Sequence, residues 1–120
     1  MSIRIINQKS ELDKVTQYLM TTSPNIKSMK DVEDGTSIPV ASLVTFEDTK
    51  QDGSTETISS IITPDKEVYA FQSDTFRHSL MDIDEIMGDD VYRIIKTSGK
   101  TKSDRPYINC YLDVESLGHN

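Results

Sequence analysis

The chain has 120 residues, the size of one domain, and no break in composition divides it. With 35% apolar and 28% charged residues it reads as globular, and its formal net charge of −7 argues against a generic polyanion binder. No apolar run is long enough to span a bilayer, residues 1–7 lack the features of a signal peptide, and the lone Cys110 excludes an internal disulfide, so a cytoplasmic protein with no membrane partner is expected.

Leu12, Val15 and Leu19 fall at helical spacing and predict an amphipathic helix over residues 10–19, capped by Ser10 or Asn7 and ended by the approach to Pro24. Residues 1–22 then form an N-terminal helical extension. Residues 26–32 are a weakly patterned strand, closed by a turn at 33–35, and residues 40–46 are a strand rich in β-branched side chains. A polar loop at 47–54, containing Asp52 and Gly53, joins the latter to residues 56–63 as a hairpin. Beyond the turn at Pro64 and Asp65, residues 67–71 form a short extended piece. A second helix follows, with Ser73 or Asp74 as its cap, Phe76, Leu80, Ile83 and Met87 as its apolar stripe, and Gly88 at its C-terminal stop. Two last strands, 91–97 and 106–114, flank a polar, turn-forming stretch at 98–105.

This order predicts a mainly β protein: a single domain over residues 1–120, folded as a five-stranded OB-fold barrel with a helix between strands 3 and 4 and an extra N-terminal helix. A plain α+β sandwich of the same elements is the rival architecture.

The five glycines never cluster into a phosphate-binding loop, and His78, His119 and Cys110 lack partners at metal-ligand spacing. Asp82, Asp84 and Glu85 read as a solvated helix face, and Cys110 as a small buried hydrophobe. The expectation is therefore a protein that is not an enzyme, with no cofactor and no metal.

The last strand is the most informative. If Ile108, Cys110, Leu112 and Val114 face the core, then Tyr107, Asn109, Tyr111 and Asp113 face outward. Outward tyrosines can stack on unpaired bases, or pack against the N-terminal helix or a second subunit. Residues 91–109 hold Arg93, Lys96, Lys100, Lys102 and Arg105 against Asp104 alone, so an otherwise acidic chain carries one basic hairpin. A single strand needs cations for its phosphates and ring faces for its bases. In OB folds the groove is flanked by the loops joining strands 1–2 and 4–5, here residues 33–38 and 98–105, with Lys27 and Lys30 extending the basic track. Phe76 reads as core and Tyr18 as packing in the first helix, whereas Phe46, Tyr69, Phe71 and Tyr92 fit either the core or the groove.

The segments Glu67-Val68-Tyr69-Ala70, Ser73-Asp74-Thr75-Phe76-Arg77, Asp82-Ile83 and Ser98-Gly99-Lys100-Thr101-Lys102-Ser103-Asp104-Arg105-Pro106-Tyr107-Ile108-Asn109-Cys110 resemble phage-encoded single-stranded DNA-binding proteins of Gram-positive hosts, lactococcal phages among them. The resemblance covers residues 67–112 and departs from the pattern at Asp104, where the family often has glycine, and at 91–96, which is more polar. It implies an OB-fold protein of the host-cell cytoplasm that coats single strands during phage DNA replication and recombination. It also implies assembly as a homo-oligomer, a dimer or tetramer, and recombination or strand-annealing proteins as partners. The nucleic-acid-binding residues expected are Lys27, Lys30, Arg93, Lys96, Lys100, Lys102, Arg105, Tyr107 and Tyr111. The alternative from another class is an OB-like phage accessory domain that binds a protein partner, which suits the acidic remainder of the chain.

Overall fold

The computed structural model describes residues 2–8, 12–88, 90 and 92–115. In chain order the elements are β1 (Ser2–Gln8), α1 (Lys14–Thr21), β2 (Lys27–Ser28), a 3-10 turn (Met29–Asp31), β3 (Ser37–Val40), β4 (Ser42–Thr49), β5 (Thr55–Ile62), β6 (Val68–Phe71), α2 (Asp74–Met87), β7 (Tyr92–Lys100) and β8 (Pro106–Leu112). The protein is mainly β, as its composition of β-branched and alternating segments predicts. Its strands form a five-stranded sheet, ordered β1-β4-β5-β6-β2, and a three-stranded sheet, ordered β3-β7-β8. These ladders do not make a closed five-stranded barrel. One physical reason lies at Ala41: its N–H donates to the Ile62 carbonyl at 2.9 Å, which interrupts the strand expected at 40–46 and sends β3 and β4 to different sheets. By contacts the chain divides into two units, Met1–Met29 with Ala41–Gln72 and Lys30–Val40 with Ser73–Asn120.

In the first unit, the expected hairpin forms between β4 and β5, registered from Ser42 opposite Ile62 to Thr49 opposite Thr55. Its loop needs a positive φ, which Gly53 supplies at +87°. Val44, Phe46, Ile62 and Val68 make a buried cluster with Leu12 and Met20, and Ile5, Leu19, Ile26 and Ile58 pack around it. Asp13 caps α1, accepting from the Thr16 N–H at 2.7 Å, in place of Asn7 in β1 or Ser10, which lies outside the described residues. The buried face of α1 is also rotated from the expected stripe: Val15 is 68% exposed while Met20 is fully buried. Tyr18, expected to pack, is 52% exposed for the same reason. The end of α1 is tied to the sheet by the buried Ser60 hydroxyl, which donates to the Met20 carbonyl at 2.8 Å.

Two expectations for this unit are corrected. Residues 2–8 belong to a strand rather than a helical extension: β1 pairs antiparallel with β4, with Ile5 opposite Phe46 and an irregularity between Ile5 and Asn7. Ile3 and Ile5 flanking Arg4 are a period-two signal, and Arg4 meets its cross-strand partner Glu47 at 2.7 Å. The strand expected at 26–32 shrinks to Lys27 and Ser28, parallel to β6, before the 3-10 turn. Residues 27–31 contain no β-branched or aromatic side chain to favour a longer strand.

In the second unit, Ser73 caps α2 by accepting from the Phe76 N–H at 3.2 Å, and Gly88 ends it at φ +61°, as the sequence predicts. Phe76 and Leu80 of α2 are buried. Ile38, Val40, Tyr92, Ile94, Ile108 and Cys110 are buried as well, and alternation puts them on one face of β3, β7 and β8. Tyr92, open between two roles in the sequence, is core: burial and then its hydrogen bond to Asp84, at 2.9 Å, raise its hydroxyl pKa well above the ordinary value. Burial likewise pushes the Cys110 thiol up to about 12, which leaves it a neutral packing group. β7 runs on to Lys100, and its expected first residue, Val91, lies outside the described ones. β8 stops at Leu112, so Val114 is exposed instead of core, and residues 116–120 lie outside the described ones. Among the described residues no helix is long and apolar enough to cross a membrane.

Replacing Ser60 with alanine removes the donor to the Met20 carbonyl and leaves a buried acceptor unmet. The expected loss is about 1–3 kcal/mol of unfolding free energy, measured by urea denaturation with an unchanged m-value. A variant as stable as the parent would show that the end of α1 is not held by this bond.

Candidate nucleic-acid interface

The β7–β8 ladder decides which side chains share a face. Register pairs Gly99 with Tyr107, Thr97 with Asn109 and Ile95 with Tyr111, while Ser37 and Pro39 of β3 stand opposite Ile95 and Arg93. Directly opposed residues lie on one side of a sheet, so Tyr107, Asn109, Tyr111 and Arg93 belong to the same face. That face is the one opposite Ile94, Ile108 and Cys110. Tyr107 and Tyr111 remain 39% and 52% exposed. They stand two pleat repeats apart, about 13 Å along the strand, with Asn109 between them.

Gly99 braces the first of these rings. A Cβ placed there would sit 2.8 Å from Tyr107 Oη and 2.9 Å from Cζ, so only a glycine lets the phenol lie this close to the hairpin backbone. Beyond Tyr107 the hairpin turns through Thr101–Arg105, closed by the Thr101 N–H to the Arg105 carbonyl and the Asp104 N–H to the Thr101 carbonyl, both at 2.9 Å. Asp104 takes φ +63°, the left-handed conformation that glycine favours and aspartate tolerates. Aspartate at this position therefore supports the turn and gives it a negative charge. Lys100, Lys102 and Arg105 are all exposed at this end of the hairpin. Lys100 meets Asp104 at 3.6 Å, a solvated pair worth at most about 1 kcal/mol, and thus free to exchange partners.

Arg93 closes the opposite end of the row. Its Nε donates to Ser37 Oγ at 2.8 Å and its Nη2 to the Ser37 carbonyl at 3.0 Å, while Ser37 Oγ donates to Asp113 at 2.6 Å. The guanidinium is thus positioned by β3, one pleat repeat past the Tyr111 row. Along the face the basic turn is followed by the Tyr107 ring, the Tyr111 ring and the Arg93 guanidinium.

Lys96, also expected to meet phosphates, is turned the other way. It is 3% exposed on the core face, and its ammonium donates to the Val32 carbonyl at 2.7 Å and to Asp34 at 3.0 Å. Its position in phase with Tyr92 and Ile94 puts it inside, where an ammonium persists only with such partners. Asp34, a residue that sequence reasoning passed over, also accepts from Ser98 Oγ. That hydrogen bond first, and Lys96 second, hold its carboxyl pKa below the ordinary value. The contact joins residues 62 and 64 positions apart, so no local motif marks it. Its effect is to fasten the loop at 33–36 to β7, helped by the Gly35 N–H to the Lys96 carbonyl at 2.8 Å.

Lys27 and Lys30 belong to elements other than β7 and β8. Lys27 lies in β2 of the first unit, paired with Glu67 at 2.9 Å and 5.5 Å from the centre of the Tyr69 ring. Its hydrogen bond to Glu67 raises its pKa. Lys30 is exposed in the 3-10 turn. Phe46 and Phe71, open in the sequence, are buried. Comparison with protein-family models, curated proteins and solved structures finds no match.

The Asp34 clamp has a pH signature. A depressed folded-state pKa contributes stability that is present above the ordinary carboxylate range and is lost as pH falls through the depressed value. Asp34→Asn should therefore lower the thermal midpoint at neutral pH and flatten the loss of stability on the acid side. Calorimetry on both proteins from neutral to acid pH checks this; parallel curves would sink it.

Proposed function

We propose that this chain binds single-stranded DNA on the outer face of β7 and β8, with little regard to sequence. The observation that carries the reading is the row just described: two exposed tyrosine rings on one strand face, flanked by the cations of the hairpin turn and by Arg93. Ring faces stack on any base, and cations neutralise phosphates by releasing condensed counterions. The acidic remainder of the chain would repel a polyanion and so favour this face. In this reading Lys100, Lys102, Arg105 and Arg93 meet phosphates, Tyr107 and Tyr111 meet bases, and Lys96 is structural.

The order of elements supports an OB-like arrangement as part of the same proposal. If β3 and β4 are one strand interrupted at Ala41, the core order is that strand, β5, β6, α2, β7 and β8. This is five strands with a helix between the third and fourth, and β1, α1 and β2 are additions. The likeness to phage single-strand binders points to coating and protection of strands during replication and recombination, by a homo-oligomer in the host cytoplasm. The second reading, an accessory domain that docks a protein partner, draws on the net charge of −7.

Titration of a labelled oligo-dT at several salt concentrations separates the two. Each phosphate contact should contribute about −0.7 to the slope of log K against log[salt], so Lys100→Ala with Lys102→Ala should flatten it by about 1.4. Tyr107→Ala and Tyr111→Ala should instead each cost about 1–3 kcal/mol of binding and leave the slope nearly unchanged, with the thermal midpoint intact. A parent protein that does not bind oligo-dT at low salt would overturn the reading.

Asp104→Gly supplies the opposite sign. Glycine accepts the φ of +63° without strain, and the change frees Lys100 from its carboxylate. Affinity for oligo-dT should rise, because a carboxylate no longer faces the phosphates. Weaker binding with the fold intact would show that the turn does not meet phosphate.

A further inference from the structure

Three of the four glycines in the described residues are explained by their backbone: Gly35, Gly53 and Gly88 take φ of +89°, +87° and +61°. Gly99 is not. Its φ lies outside the left-handed region, so alanine fits its backbone, and it belongs to β7, where glycine weakens a strand. What it meets is the phenol of Tyr107, its cross-strand partner. A Cβ at Gly99 would stand 2.8 Å from Oη, 2.9 Å from Cζ and 3.4 Å from Cε2. Approach in the plane of the ring would make an ε carbon the nearest atom. Near-equal distances to the two ends of the Cζ–Oη bond, with Cε2 farther off, instead put the Cβ above the ring plane. The phenol therefore lies face down across Gly99. Its second face is directed off the sheet, in a residue that remains 39% exposed.

We infer that Gly99 is a positioning residue for single-strand binding: having no side chain, it lets the Tyr107 ring lie flat on the hairpin, one face against backbone and the other open to a base. The inference rests on the single-strand reading above. A ring stacks through its face, so a phenol tipped on edge offers a base little area. Resting on backbone also orders the ring before the strand arrives, so less side-chain freedom is lost on binding. An alanine methyl does not fit beneath the ring. The atoms in its way, however, are the far end of a partly exposed side chain, which can swing aside. Gly99→Ala therefore separates the two roles open to a glycine under an aromatic ring. If the ring only covers a weak point of the strand, the substitution acts on stability; if the ring is a platform, it acts on affinity.

The test measures oligo-dT affinity and the thermal midpoint for the parent, Gly99→Ala, Tyr107→Ala and the double variant. Gly99→Ala should fold with a midpoint at or above the parent's, because alanine narrows the unfolded ensemble. It should bind oligo-dT at least about fivefold more weakly, and lose no more than Tyr107→Ala does. Its salt slope should match the parent's, since no charge changes. In the Tyr107→Ala background the same substitution should alter affinity by less than about twofold, the coupling expected if Gly99 acts through the ring. Affinity of Gly99→Ala at or above the parent's, an equal loss with and without the ring, or a midpoint well below the parent's overturns the inference while single-strand binding stands. Failure of the parent to bind oligo-dT at low salt overturns this inference and the single-strand reading together.

Discussion

The register of β7 on β8 is the constraint from which the candidate site follows. Seven pairs, from Ile94 opposite Leu112 to Lys100 opposite Pro106, put Ile94, Ile108 and Cys110 on one side and Tyr107, Asn109 and Tyr111 on the other. A slip of one residue would bury the tyrosines and expose the apolar set, so burial of the core face locks the outer face in place. Gly99 opposite Tyr107 sharpens the lock, because a side chain at that position would collide with the phenol. The turn beyond, with Asp104 in a left-handed conformation, delivers three exposed cations next to the first ring.

Charge is divided by the same alternation. Five basic residues cluster near the hairpin in sequence, but they do not share one environment. Lys96 falls in the core phase, and its ammonium is met by a carbonyl and by Asp34, so it fastens a loop instead of facing solvent. Arg93 falls in the opposite phase and is steadied by Ser37. A count of positive charges along the strand treats these two alike; the period of two separates them.

Each sheet also handles its open edges. In the second unit α2 runs against β8: Ser73 donates to the Ile108 carbonyl at 3.4 Å, Ser79 reaches Asn109, and Cys110 lies near the Phe76 carbonyl. The other edge strand, β3, is four residues long and contains Pro39, which has no N–H to offer. In the first unit β1 covers the edge of β4, and β2 ends the other side after two residues. The helix that shields β8 also holds the Asn109 amide oxygen, through Ser79.

Much of this was legible in the sequence, because it depends on local spacing. The capping serine and terminal glycine of α2, the β4–β5 hairpin, the short piece at 67–71 and the outward phase of Tyr107 and Tyr111 all follow from periods of 3.6 and 2 and from turn chemistry. β1 was legible too, in the isoleucines flanking Arg4, but a helical reading of residues 1–22 obscured it. Other features were decided only by contacts distant in sequence. The break at Ala41 depends on Ile62, the burial of Lys96 on Val32 and Asp34, and the rotation of α1 on the sheet that takes Met20. The orientation of Asn109 depends on Ser79, thirty residues away. Spacing along a chain dictates which side chains share a face; which face is buried, and what meets each buried polar group, is set by the partner that tertiary packing brings to it.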